Sequence, residues 1–512
     1  MAKTSTSSGA KAAPKRRAAP ESASSSRKAA LIKLPGLAAT IDDALQASDS
    51  RDTGPAEPLN FSDLLQRLTA VHGTFPPVYE QHFVSPFIAT LQGLGEVKFK
   101  QILLQDPNRE SAAGLMLDIA QAVLQHGEGY LKPSTRAFQE FISDLYDGFL
   151  SAADRRGVKE PDQGVVPPLA KWGNPDFGPY TWPVDATASF KVQAGVVNMP
   201  PANATGGLVS WAALGHETAG HDILHADTGL QDELAQALRT SLAPLGHGLA
   251  DYWSERIDET ASDVMGILNL GPAAGIGLIA YFRALSLAFG GSGKLRSVGP
   301  FNDPHPADIV RGYLAAEVVA LLKFKGAAAW AKTIAAETDK DRGPIALAGE
   351  AISPTLARKS AKVVAATLVK YKAVALENHA LGEIQNWADS DEALLQGARL
   401  AMRAGTPLPP TPAGITLYAA HLVSAAVIEA LTVAPGAGKT VPELQARLVQ
   451  DLNVLHDQNP SWGPLFVVHP GDLRRDFFVP AEWRAMRAEL RAQAGAQAPA
   501  KSPAKPRQRP KA

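Results

Sequence analysis

The chain of 512 residues contains no cysteine. Disulfides, thiol nucleophiles and thiolate metal ligands are therefore excluded, and any metal or nucleophilic chemistry must use oxygen and nitrogen donors. No apolar run approaches the ~20 residues that a membrane-spanning helix needs. The longest candidate, residues 267–289, is broken by Asn269, Gly271, Pro272 and Arg283, and reads as a buried helical hairpin. The first residues lack the apolar stretch of a secretory signal, which makes the cytoplasm the expected compartment. Internal repeats are missing as well.

Charge of one sign is scarce overall, with a net −1, but it is unevenly spread. Residues 1–35 carry eight Lys/Arg against one Glu, and residues 491–512 carry six Lys/Arg and no acid. The intervening body is left with about −14 and an acidic surface. Both ends are rich in Ala, Ser, Pro and basic residues and nearly free of aromatics, a composition that cannot offset the entropy of folding. Residues 1–55 and 492–512 are expected to be disordered basic tails that act chiefly as solubilisers. No specific nucleic-acid partner is expected.

Against these absences stands one dense stretch. His216-Glu217-Thr218-Ala219-Gly220-His221 is followed about forty residues later by Glu259-Thr260-Ala261-Ser262-Asp263. Catalytic zinc takes three ligands from imidazole nitrogen and carboxylate oxygen and leaves a position for water. A further carboxylate must then stand by to take a proton from that water. His216, His221 and Glu259 fit the ligand roles, and Glu217 fits that of the base. Asp263, four residues after Glu259 and on the same helix face, suits a carboxylate that holds the free ring N–H of a ligating histidine.

The histidine spacing departs from H-E-x-x-H. Residues i and i+5 lie about 140° apart on a regular helix, so His216 and His221 converge only if the helix carries a one-residue π-bulge. Gly220 would ease that distortion. An unbulged alternative pairs His221 with His225 at i, i+4 and places Asp222 where Glu would stand. Taken singly, the histidines also fit a half-buried helix, and Glu255, Asp258, Glu259 and Asp263 fit a solvated acidic face.

Residues 257–266, Ile-Asp-Glu-Thr-Ala-Ser-Asp-Val-Met-Gly, resemble the N-E-x-x-S-D-x-x-G helix of thermolysin-like gluzincin metallopeptidases. The His-Glu-Thr-Ala-Gly-His segment is similar to the H-E-x-x-G-H helix of dipeptidyl peptidase III. The resemblance covers about 60–100 residues. It implies Zn²⁺ as cofactor, Glu259 as third ligand, Asp263 as support for the first histidine, and a peptide or protein substrate. Downstream, Asp303-Pro304-His305-Pro306 and the helix start that follows resemble the His-Pro…Arg element of some zinc peptidases. There a histidine or arginine reaches the oxyanion, which makes His305 a second catalytic candidate.

Apolar residues at helical spacing mark helices at 61–69, 111–125, 135–152, 209–228, 231–242, 255–268, 273–288 and 307–322. The expected fold is mainly α (α+β), with a zincin-like catalytic region at 157–343 between helical regions at 56–156 and 344–491. Residues 157–183, rich in Pro, Gly and Trp, read as a connection. Residues 189–200 read as a strand; it stands where zincin peptidases lay an extended substrate along an edge strand, and it equally fits a structural strand leading into the Gly206-Gly207 turn. The Gly-Lys-Thr at 438–440 imitates a phosphate loop, but Val433 stands where its first glycine belongs, so a helix–helix loop is expected. Two other functions compete with the peptidase. One is an HD-type metal phosphohydrolase using His221-Asp222, and the other is a non-catalytic module with a degenerate or structural site.

Overall fold

The computed structural model describes residues 30–150, 155, 158–159, 161–162, 166–176, 178–410, 417–459 and 462. The expected tails at 1–29 and 492–512 lie outside the described residues, as does the end of the helical C-terminal region from 463. The described chain is mainly α-helical, as its apolar periodicity dictates. Helices occupy Phe61–Val71, Ala112–Glu128, Lys132–Leu150, Leu208–His216, Leu230–Leu242, Ile257–Leu270, Pro272–Ala288 and Asp308–Val319. Among the described residues no helix is long and apolar enough to cross a membrane.

Part of the expected N-terminal tail is helical. Residues Leu37–Ser48 form a helix whose Leu37, Ile41 and Leu45, spaced at i, i+4 and i+8, pack toward the core, with Ala44 and Ala47 buried. It lies against helix Pro272–Ala288. The tail's average composition hid this short apolar stripe.

Two small sheets interrupt the helices. Strands β1 (Leu169–Trp172), β2 (Tyr180–Trp182) and β3 (Val196–Met199) assemble in the order β1-β3-β2. β3 runs parallel to β1 and antiparallel to β2. The segment expected to supply an edge strand therefore supplies the central one, and the edge is β2. The stretch read as a connection holds both of its neighbours, strands too short and too rich in nearby Gly and Pro to signal themselves. The second sheet joins β4 (Val298–Gly299), β5 (Ile345–Leu347) and β6 (Glu350–Ile352). Ala348 and Gly349, both at positive φ, close its two-residue hairpin, a geometry that favours glycine.

The first sheet is a wall between two hydrophobic cores. Successive strand residues face opposite sides. Leu169 and Val196 enter the smaller core, built on helices Phe61–Val71, Ser85–Gln105 and Ala112–Glu128. Ala170, Trp172, Val197 and Met199 enter the larger one. That larger core continues without a break across residue 343 into helices Pro354–Lys370, Ala419–Thr432 and Val441–Asp457. Among the described residues, the helices on either side of residue 343 thus share one core.

Candidate metal centre

Helix Leu208–His216 runs directly into a π-helical turn, Glu217–Asp222, and then a 3-10 turn, Ile223–Ala226. The i→i+5 bonding of a π turn widens the helix, and it brings His221 beneath His216. The ring centroids are 4.7 Å apart and the two Nε2 atoms 3.1 Å apart. Gly220 is needed here for a reason the spacing did not reveal. Its backbone abuts helix Ile257–Leu270 so closely that a Cβ would stand 2.1 Å from Ser262 Oγ and 2.3 Å from Ser262 Cα. The glycine permits the two helices to touch.

That contact brings the acidic helix to the histidines. Glu259 Oε2 lies 3.3 Å from His216 Nε2, and Oε1 lies 3.5 Å from His221 Nε2. Asp263 Oδ1 is 2.9 Å from His216 Nδ1, and Asp258 Oδ2 is 2.9 Å from His221 Nδ1. Each imidazole thus has a carboxylate on its outer nitrogen, which fixes Nδ1 as the protonated position and turns the Nε2 lone pair inward. Arg311, from helix Asp308–Val319, grips Asp263 through Nε at 2.7 Å and a terminal nitrogen at 2.8 Å. It stands 3.6 Å from Glu259.

The inward atoms are two imidazole lone pairs and a carboxylate. Glu259 Oε2 is buried and has no hydrogen-bond partner. Such converging acceptors are satisfied by a cation or by a shared proton, and neutral imidazole plus carboxylate is a donor set that suits zinc. The side chains present therefore fit a metal. Without one, a proton takes its place. Burial opposes charge on His216, but the Asp263 and Glu259 carboxylates outweigh it and raise its pKa to about 10. Burial likewise favours a neutral Glu259, yet His216, His221 and Arg311 hold it well below the usual carboxylate range.

The donor atoms of His216, Glu217 and His221 also lie within 4.8 Å of one another. Glu217 differs from Glu259 in its surroundings. Its Oε2 accepts a hydrogen bond from Thr181 Oγ1 at 3.0 Å. By distance alone Glu217, like Glu259, stands close enough to both histidines to share an ion with them. His305 Nε2, on a half-exposed loop, reaches Glu259 Oε1 at 3.2 Å, with Nδ1 3.2 Å from Asp303.

His225 is placed elsewhere. Its Nδ1 faces Asp185 at 3.1 Å and its Nε2 faces Asp258 at 3.4 Å, so it meets His221 through the shared Asp258 carboxylate, whereas the His221 Nε2 turns to His216 and Glu259. Asp222 is also turned away, bonded to the Tyr146 hydroxyl and, at 3.0 Å, to Val184 N. The sequence carries no local signal for Asp258 as a partner of His221, or for Thr181 and Tyr281 at the site. Only the π turn reveals the first, and the others come from distant elements.

The site forms the floor of a cleft of about 530 Å³. One wall is strand β2 with Pro179, Thr181 and Trp182; the other is helix Pro272–Ala288, presenting Leu278, Tyr281, Phe282 and Leu285. Burial, with the nearby Glu217 charge, pushes the Tyr281 hydroxyl far up in pKa, which keeps it protonated as a donor. The chain matches no family model, no curated protein and no solved structure.

Proposed function

We propose that the protein is a zinc-dependent hydrolase that cleaves peptide bonds, with His216, His221 and Glu259 holding the metal. One observation carries this reading: two imidazole Nε2 atoms and a carboxylate converge on the floor of an open cleft, with a further carboxylate, Glu217, beside them. The likeness of the two motifs to gluzincin helices supports it. Zinc bound there supplies Lewis acidity toward a carbonyl oxygen and brings the pKa of water toward neutrality.

The chain's own residues do the remainder. Glu217 accepts the proton of water and returns it to the departing amine. Asp263 and Asp258 fix the two imidazole rings with their Nε2 atoms inward. Arg311 pairs with Asp263 and so positions the His216 ring, while also lining the cleft. His305 and Tyr281 remain as donors toward an oxygen that gains negative charge. The apolar wall of Leu278, Phe282 and Leu285 suits an apolar side chain, and edge strand β2 offers its backbone to an extended peptide. The HD-type alternative loses support, because the Asp222 it would use faces Tyr146.

Elemental analysis and cleavage of a peptide library test the reading together. The wild type is expected to hold about one zinc per chain. His216→Ala and Glu259→Ala are expected to lose it, and His225→Ala to keep it. Glu217→Gln, which cannot accept the proton, is expected to keep zinc and to cut the rate on the order of 10²–10⁴-fold. A metal-free wild type, or equal turnover by Glu217→Gln, would remove the assignment.

A further inference from the structure

Strand β2 is only three residues long and stands between Pro179 and Pro183. Its backbone pairs with β3 alone, so a strand this short needs further restraint. The register supplies it. Tyr180 opposes Asn198, Thr181 opposes Val197, and Trp182 opposes Val196. By pleating, Tyr180 and Trp182 share the face toward the N-terminal helices, and Thr181 takes the face toward the metal centre.

On the first face, both side chains end on one carboxylate. Asp118, from helix Ala112–Glu128, accepts from the Tyr180 hydroxyl at 2.6 Å and from Trp182 Nε1 at 2.8 Å. Its other oxygen lies 2.7 Å from Lys171 Nζ on β1, in a pair whose side chains are 12% and 2% exposed. Lys171 also donates to Asn198 on β3 at 3.1 Å. All three strands are thereby tied to one buried acid. On the other face, Thr181 Oγ1 meets Glu217 twice, at the carboxylate oxygen and, at 3.1 Å, at its backbone carbonyl. Among the described residues, Thr181 is the hydrogen-bond partner of the Glu217 side chain.

We infer that Thr181 is the positioning residue for Glu217, and that Asp118 fixes the strand carrying it through Tyr180 and Trp182. The N-terminal helical unit thus aims the general base of a reaction whose metal ligands all come from elsewhere. This rests on the proposed function, in which Glu217 is the base. A carboxylate on a three-torsion side chain otherwise samples several rotamers, and one donor on Oε2 leaves Oε1 for the cleft. The contact acts on orientation in the chemical step, so its loss is expected to appear in kcat more than in KM.

The test compares the full-length zinc-loaded wild type with Thr181→Val, Thr181→Ser, Tyr180→Phe and Glu217→Gln on one cleaved peptide. Thr181→Val keeps the shape and β-branching and removes the donor. It is expected to lower kcat by about 10–100-fold, the usual effect of losing such an outer partner, with KM within about twofold and zinc content unchanged. Thr181→Ser restores the hydroxyl and is expected to recover most of kcat. Tyr180→Phe, which loosens the strand without touching Glu217, should lower kcat by a smaller factor in the same pattern; should Thr181→Val fail to fold, it carries the test with Thr181→Ala. Wild-type kcat in Thr181→Val, or equal loss in Val and Ser variants, would overturn the inference. An inactive Glu217→Gln beside an unimpaired Thr181→Val would do so while leaving the proposed function standing. An active Glu217→Gln would remove both.

Discussion

Under the proposed function a proton and a metal ion compete for His216. In the metal-free protein its pKa lies at about 10 against an ordinary 6.5, because the flanking carboxylates outweigh burial. The stabilisation from this imidazolium is fully present below the ordinary pKa and fades as pH rises through about 10. Metal-free protein is therefore expected to melt lower at pH 10 than at pH 7. Zinc needs the neutral ring, so binding between these values must expel at least one proton, and affinity should rise about tenfold per pH unit. Calorimetry in buffers of different ionisation heat measures the released proton; none released, with affinity flat in pH, would contradict this account. At this scale the sequence was most informative where chemistry is local. His216, Glu217, His221, Glu259 and Asp263 sit within two short segments whose spacing carries the pattern. Asp258 was invisible as a partner, since only the phase of the π turn decides that it faces His221. Thr181 and Tyr281 reach the cleft from elements with no fixed offset to the motif.

Among the elements, the π turn and the acidic helix depend on one another. Their separation is set at Gly220, where any Cβ meets Ser262. Gly220→Ala is expected to force the helices apart, costing about 1–3 kcal/mol by overpacking and weakening zinc retention. Chemical denaturation with metal analysis checks this; a wild-type midpoint with full zinc would show that the helices have room. Long helices were legible because apolar residues recur every three to four positions over several turns, as in Phe138, Phe141, Ile142, Leu145 and Phe149. Strands of three or four residues offer too few alternations. β1 and β2 were hidden among Gly and Pro, and β3 looked like an edge because nothing local announced its neighbours. The kinked helix Ser85–Gln105, with non-helical φ at Gly95, likewise lacked a clean apolar stripe.

For the molecule as a whole, the boundaries suggested by composition do not follow the packing. Residues on either side of 343 fill one core, and the N-terminal helices share the first sheet with it. A fragment beginning at residue 157 loses Asp118 and uncovers Leu169 and Val196 along one sheet face. It is expected to show no cooperative melting transition in calorimetry and to hold no zinc. A sharp transition with bound metal would show that the catalytic region folds alone. Composition missed this unity because long-range contacts leave no mark on local averages.

The dividing sheet also constrains how the chain can change in length. A substitution within β1 or β3 alters one contact on one side, but a single inserted or deleted residue exchanges the two faces of the strand beyond it. Lys171 and Asn198 would then enter the large apolar core, and Trp172 and Met199 would be turned toward Asp118. Turns such as 173–176, after β1, have no such parity to preserve. Across descendants of this sequence, insertions and deletions should accumulate in those turns and spare the strands, whatever residues the strands come to contain.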